Sequence, residues 1–366
     1  MCSGVHIASI RRPVSGRIPP EAFGFPAILE RNANCSTARL ADPREVTDRQ
    51  PMNSPPVSVV IPCFNQGRFL REALQSVRAQ TVPPRQVVVV DDGSTDDTAE
   101  VARSFPGGDV EYVRQPNRGL ASARNRGIEA ATGEYLVFLD ADDRLRPEAV
   151  AIGIRELEAR PECAFVFGRC TRIDERGEPL PTAAPPPLDG DAYVALLRTN
   201  WIWTPAVVMF RRRACAPWLR FDPSMSASAD YDLYLRIARH APVHGHGQLV
   251  AEYRLHATSM SGDPAVMLRS TVRALNAQRR HLRTDAERRA CEEGLRSFRH
   301  YYGQQVAARI VSQWHRPANW PALVRGVLVL LRCHPGGVLR ETGRSMGLLR
   351  RRSAPAASGT GSGARA

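Results

Sequence analysis

The sequence predicts an α/β fold: a mostly parallel sheet with helices on both faces, followed by a helical C-terminal extension. Three observations predict it. Short, nearly all-apolar runs alternate with helical spacings between residues 57 and 150. Two of these runs end in acidic clusters, Asp91-Asp92 and Asp140-Ala141-Asp142-Asp143. From residue 265 the pattern turns helical and heavily charged. Strands that are apolar on both sides belong to parallel sheets covered on both faces. In such sheets ligands bind beyond the carboxyl ends of the strands.

The elements follow in order. Residues 1–55 show weak periodicity with scattered Pro and Arg and read as a poorly ordered leader. Val57-Ser58-Val59-Val60-Ile61 is a buried strand stopped by Pro62. Asn65 is placed to cap the next helix, in which Phe69, Leu70, Ala73, Leu74 and Val77 recur at helical spacing. Residues 87–90 form the second strand. Thr95, Asp96 and Asp97 open the following helix, where the dipole favours negative charge. A third strand spans 110–113, a helix lies around 121–131, a fourth strand covers 135–139, and Pro147 marks a helix start. Residues 165–167 and 206–210 read as strands on either side of a Pro-rich loop at 179–187. The Ala/Gly/Ser-rich tail from Ser353 is expected to be disordered.

Composition narrows the chemistry. The net charge of +13 comes entirely from arginine, because the chain has no lysine. Schiff-base and lysine general-base chemistry are therefore excluded. Such a balance suits an anionic partner: nucleic acid, anionic lipid headgroups or a phosphorylated substrate. The eight cysteines form no CxxC pair and no Cys/His metal spacing, which points to a reducing, cytosolic compartment. Arg11, Arg12 and Pro13 interrupt any signal-peptide core. No segment reaches the roughly 18 apolar residues of a membrane span, and 320–331 is broken by Arg325.

Carboxylates at strand ends are not there for packing, since burying an unpaired charge costs several kcal/mol. Two such clusters on one sheet edge suit a polyanionic ligand that arrives with a divalent cation. Asp140-x-Asp142 offers the oxygen donors that a hard cation wants. Asp92 can accept from a base N–H, Phe64 can stack on a ring, and Asp91 suits a cap of the Gly93-Ser94 turn. Arg124 can order the acidic cluster or touch phosphate.

These pieces together resemble the nucleotide-sugar-binding half of family 2 inverting glycosyltransferases, with a GT-A-type, Rossmann-like fold. The matching segments are Val57 through Pro62-Cys63-Phe64-Asn65; Asp91-Asp92-Gly93-Ser94-Thr95-Asp96; Asn117-Arg118-Gly119 with Ala123-Arg124-Asn125; Gly133-Glu134-Tyr135; and Leu139-Asp140-Ala141-Asp142-Asp143. A weaker match continues through Asp230-Tyr231-Asp232-Leu233 and Tyr253-Arg254-Leu255-His256. The resemblance implies that Pro62, Phe64 and Asn65 lie at the nucleotide, that Asp92 reads a uracil or thymine imide, and that Asp140 contacts ribose or the metal shell. It implies Asp142 as the metal carboxylate for Mn or Mg; beside these, Asp143 could substitute for Asp140 or Asp142, and His256 could complete the metal shell or touch diphosphate. Asp230 is the expected general base, the surviving member of a Glu-Asp pair that reads Ala229-Asp230 here; Asp232 is the alternative. Trp201 and Trp203 suit either sugar stacking or the core.

The expected division is a leader (1–55), a catalytic domain (56–262), a basic helical extension (263–350) and a tail (351–366). The expected partners are a UDP- or dTDP-sugar and a glycan or lipid-linked acceptor. An anionic membrane surface on the cytoplasmic side is a further expected partner. Nucleic acid is not, because the acidic clusters repel phosphate unless metal is bound. Two alternatives stand beside this. A degenerate nucleotide-sugar binder would lack the Asp230 chemistry. A sugar nucleotidyltransferase would need a Gly-rich basic phosphate loop, which Pro62-Cys63-Phe64-Asn65 does not provide.

Overall fold

The computed structural model describes residues 56–106, 110–182, 190–225 and 227–335. The expected leader, the end of the extension and the tail lie outside the described residues. The first half alternates β1 (Val57–Cys63), α1 (Gly67–Arg78), β2 (Gln86–Asp91), α2 (Thr98–Arg103), β3 (Val110–Arg114), α3 (Leu120–Ala130) and β4 (Tyr135–Phe138). Every residue of β1 and β4 is buried. Successive side chains point to opposite faces of a sheet, so both faces are covered. The four strands pair in parallel in the order β3-β2-β1-β4.

Two local expectations change. β1 runs through Pro62 instead of stopping before it. Val60 and Pro62 face β4, whose pairing with β1 ends at Val60↔Phe138, so the missing Pro62 N–H costs no ladder bond. Asn65 does not cap α1, whose N-cap is Gln66. It sits in the left-handed region (φ 53°), which Asn tolerates, and its Oδ1 accepts from Thr95 N at 2.8 Å.

The second half comprises β5 (Arg144–Leu145), α4 (Ala149–Glu158), β6 (Phe165–Ile173), β7 (Pro179–Leu180), α5 (Ala192–Arg198), β8 (Val208–Arg211), α6 (Arg212–Cys215), α7 (Ala229–Ala238) and β9 (Val243–Arg254). The sheet continues past β4 as β8-β6-β9-β5, with β7 beside β6. β8 runs antiparallel to β4 and β6, whereas β9 is parallel to β6. All strands except β5, β7 and β8 therefore point the same way. β9 escapes the sequence pattern because His244, Gly245, His246 and Gly247 interrupt its alternation.

The C-terminal helices are α8 (Pro264–Gln278), α9 (Asp285–Gln313) and α10 (Trp320–Cys333). A Thr284–Glu287 capping box fixes the start of α9. Leu268, Leu275, Leu295, Phe298 and Val306 join the same buried core as the strands. The expected division at residue 263 is therefore not a packing boundary. Gly294 shows how tightly α9 is seated: a Cβ there would stand 2.0 Å from the backbone oxygen of Leu197 at the end of α5. Gly294→Ala should destabilise the chain by about 1–3 kcal/mol, the usual cost of overpacking. A urea midpoint equal to that of wild type would contradict this seating.

Candidate active site

The carboxyl ends of β1, β2, β4 and β9 open on one edge, together with the amino end of the antiparallel β8. Asp140, Asp142 and Asp143 follow β4 directly. Arg124, buried on α3, donates from Nη2 to Asp140 Oδ1 at 2.6 Å. Its Nε has no hydrogen-bond partner among the described residues. Burial pushes the Asp140 carboxyl above its ordinary range; Arg124 opposes this, while Asp142 and Asp230 add to it. The edge thus holds four aspartates, Asp140, Asp142, Asp143 and Asp230, against two buried guanidiniums, those of Arg124 and Arg254.

Asp142 Oδ2 lies 2.7 Å from His256 Nε2 and accepts from Gln66 Nε2 at 3.3 Å. His256 is itself tied to Thr258 Oγ1 at 2.9 Å, and its ring lies 5.1 Å from that of Phe69. The structure thus brings together two residues that the sequence singles out, more than a hundred positions apart. Asp143 takes a different role from the expected one. It is 1% exposed, and its two oxygens accept from Thr204 Oγ1 at 2.6 Å and Arg254 N at 2.9 Å. It ties the end of β4 to β9, with both oxygens engaged within the protein. Arg254, fully buried, also donates to the Asp142 carbonyl at 2.8 Å and to Glu72 at 2.6 Å. It positions the acidic turn, a role visible in sequence only as an arginine two residues before His256.

Asp230 lies in the first turn of α7, after Ser228 at φ 55°. Burial raises its carboxyl above the ordinary range, and Arg124 partly counteracts that. The Arg124 charge therefore acts on both Asp140 and Asp230. The alternative, Asp232, is 7% exposed and paired with Arg236 at 2.8 Å. α7 is held by its inner face: Tyr231, Leu233, Tyr234, Leu235 and Ile237 are fully buried, and Tyr231 OH donates to the Leu196 carbonyl at 2.6 Å.

The nucleotide side differs more from expectation. Phe64 is 46% exposed beyond β1, with a face open to stacking. Pro62 is buried within the strand and shapes the site without lining it. Asn65 is exposed but spent on linking two loops, since its N–H also donates to Ser94 Oγ at 3.0 Å. Asp91 caps the turn as expected, accepting from Ser94 N at 2.7 Å. Asp92 is not the free acceptor that the sequence suggests. It is 3% exposed and accepts from Gln115 Nε2 (2.7 Å), Arg118 N (2.9 Å) and Gly119 N (2.8 Å). Gly93, at φ 81°, lets this loop lie close, for a Cβ there would meet Asn117 N at 2.8 Å.

A cavity of ≈160 Å³ runs from Arg124, Asp140 and Asp230 towards the C-terminal helices. Its wall includes Trp203 and Thr204 on one side and Met267, Thr271, Phe298, Tyr301 and Tyr302 of α8 and α9 on the other. Trp201 instead belongs to the framework, donating to the Ala195 carbonyl at 3.2 Å. The sequence carries no local signal for the helical wall, which only long-range packing creates.

Residues 58–216 match the profile described as Glycosyl transferase family 2. The chain is 29% identical over 214 residues to a chondroitin synthase of Escherichia coli, covering 57% of this chain and 30% of that protein. It is 28% identical over 219 residues to an uncharacterized glycosyltransferase of Rickettsia prowazekii, covering 57% and 67% respectively. The chain spans about a third of the length of several curated relatives it matches, the chondroitin synthase among them. In fold it resembles Staphylococcus aureus TarS 1-349 in complex with UDP-GlcNAc, at a TM-score of 0.60 and 16% identity over 81% of this chain and 92% of that one. It also resembles the mannosyltransferase PcManGT of Pyrobaculum calidifontis, in complex with GDP-Man and Mn2+, at a TM-score of 0.52 and 20% identity, covering 81% and 82%. At these identities the likeness is one of fold, and the fold is the GT-A type that the sequence predicts.

Proposed function

We propose, from the premise that residues 58–216 belong to glycosyl transferase family 2, that the chain is an inverting glycosyltransferase. It would move a sugar from a nucleoside diphospho-sugar to a hydroxyl of a glycan or lipid-linked acceptor. The observation that carries this reading is Asp230 facing the same cavity as Asp140 and Arg124. In the proposed step Asp230 takes the proton of the acceptor hydroxyl as that oxygen bonds to the anomeric carbon. The bond from that carbon to the diphosphate breaks on the opposite face, so the configuration inverts. Arg124, which lines the same cavity, brings a guanidinium charge to the diphosphate side of that step.

The residues fit a divalent cation, Mn or Mg. Among the described residues no three His, Cys, Asp or Glu side chains form a ready-made cage. A hard cation needs none, because one or two carboxylates with substrate phosphates and water fill its shell. Asp142 would hold the ion with His256, beside Asp140, and the ion would supply charge neutralisation for the departing diphosphate. The excess of carboxylates over guanidinium at this edge supports that assignment.

A uridine or thymidine diphospho-sugar is the donor we propose, with the base stacked on Phe64. Its imide N–H has to compete with the Gly119 N–H for Asp92 Oδ2, so discrimination against guanosine diphosphate should be only about tenfold, or roughly 1.4 kcal/mol. Calorimetry with UDP, dTDP and GDP in the presence of Mn measures it, and tighter GDP binding would remove the base-reading role of Asp92. The proposed location is the cytoplasm, against the inner face of the membrane. Among the described residues no helix is long and apolar enough to cross a membrane. The decisive test of the whole reading is chelator-sensitive release of nucleoside diphosphate across a panel of nucleotide sugars and acceptors. No release from any donor would overturn it.

A further inference from the structure

α10 is apolar on two faces, and only one is covered. Leu323, Gly326, Leu330 and Cys333 are buried against the neighbouring helices. Gly326 allows the close fit, since a Cβ there would meet Val306 Cγ1 at 3.3 Å. The opposite face is open: Trp320 is 58% exposed, Val324 57%, Val327 37%, Leu328 59% and Leu331 52%. These positions follow i, i+4, i+7, i+8 and i+11, a continuous helical stripe. Trp314, 66% exposed, extends the stripe and is tied to it by Trp320 Nε1 donating to its carbonyl at 2.9 Å. An exposed apolar stripe of this length calls for a cover.

Charge identifies the cover. No Asp or Glu occurs between residues 294 and 340, whereas arginines recur through that stretch. Arg316, Arg325 and Arg332 flank the stripe and are exposed. Beside it, the groove between α8, α9 and α10 carries Arg269, Arg309 and Arg325 against a single carboxylate, Asp263, 3.8 Å from Arg309. An apolar stripe with tryptophan at one end and cations at its rim matches a bilayer interface that carries anionic headgroups. A second protein surface would more often offer the stripe an apolar partner without needing arginines along its rim.

We infer that the open face of α10 docks the chain on an anionic lipid surface. The helix lies in the plane of the interface, its outer stripe among the acyl chains and its arginines at the headgroups. This concerns the location in the proposed function and not the transfer chemistry, so its test stands apart from any donor assay. Deleting α10 would open the core, because Leu323 and Leu330 are part of it, so point substitutions of exposed residues are the proper probe.

The full chain is sedimented with phosphatidylcholine vesicles with and without phosphatidylserine, at low and high salt. Binding should need phosphatidylserine and fall about tenfold or more as salt screens the arginines. The triple variant V324Q/L328Q/L331Q should lose about tenfold or more of that binding, with wild-type circular dichroism and thermal unfolding and with unchanged nucleoside diphosphate binding. Protein left in the supernatant with phosphatidylserine at low salt would overturn the inference. So would full binding by the triple variant. A concentration-dependent dimer that the triple variant abolishes, without vesicle binding by wild type, would assign the face to a second copy of the chain instead.

Discussion

Asp230→Asn should bind a nucleoside diphosphate as wild type does and lose about 10²–10⁴-fold in transfer to the acceptor, the scale of a missing general base. The side chain keeps its size, and an amide oxygen can still accept from Tyr231 N, so α7 should start as before. The geometry around the alternative supports this choice. Asp232 is buried against Arg236, and removing its charge should cost stability before it costs chemistry. If Asp230→Asn transfers sugar normally while Asp232→Asn folds and is dead, the base is two residues further on.

The pH profile adds an independent check. A base must be ionised to work, and burial raises the Asp230 carboxyl above its ordinary range. The protonated form therefore persists to higher pH than in a solvated aspartate. The acid limb of kcat/KM should fall correspondingly high, with activity rising as pH increases through it, and Asp230→Asn should lose that limb. A wild-type profile flat down to the range of a free aspartate would place the essential base elsewhere.

What was legible in the sequence was local. β1 and β4 are short and wholly buried, and β2 is buried from Val87 onwards, so their apolar runs read directly as strands covered on both faces. Asp140 and Asp142 are legible because the strand that places them ends next to them. Asp230 is singled out only by the resemblance, as the aspartate left of a Glu-Asp pair, and it stands in the first turn of α7. Contacts between distant segments were not legible. Asp92 looks free in sequence, yet its three donors come from residues 115–119, brought over it by the turn at Gly93. Asp143 looks like its neighbours, yet Thr204 and Arg254 claim it from 61 and 111 residues away. The division at residue 263 was drawn on composition, whereas α8 and α9 are recruited by burial into the same core and wall the cavity.

The same distinction governs the second large effect. Asp142→Ala should abolish Mn- or Mg-dependent turnover, but it does two things at once. It removes the carboxylate, and it leaves His256, 1% exposed at its side chain, without the partner of its Nε2. An orphaned buried polar atom costs about 1–3 kcal/mol, so a dead alanine variant would by itself be open to a folding explanation. Asp142→Asn separates the two. Its amide oxygen can take the place of Oδ2 towards His256 and Gln66, while the negative charge that a cation needs is gone. The asparagine variant should therefore keep wild-type thermal stability and yet lose both chelator-sensitive turnover and calorimetric Mn binding in the presence of a nucleoside diphosphate. His256→Asn should weaken Mn binding less, because the carboxylate remains and a hard cation prefers oxygen to nitrogen. Full activity in Asp142→Asn, or wild-type activity indifferent to chelator, would show that this turn orders the site through hydrogen bonds alone. Arg124, which lines the cavity beside Asp140 and Asp230, would then be the group left to meet the charge of the departing diphosphate.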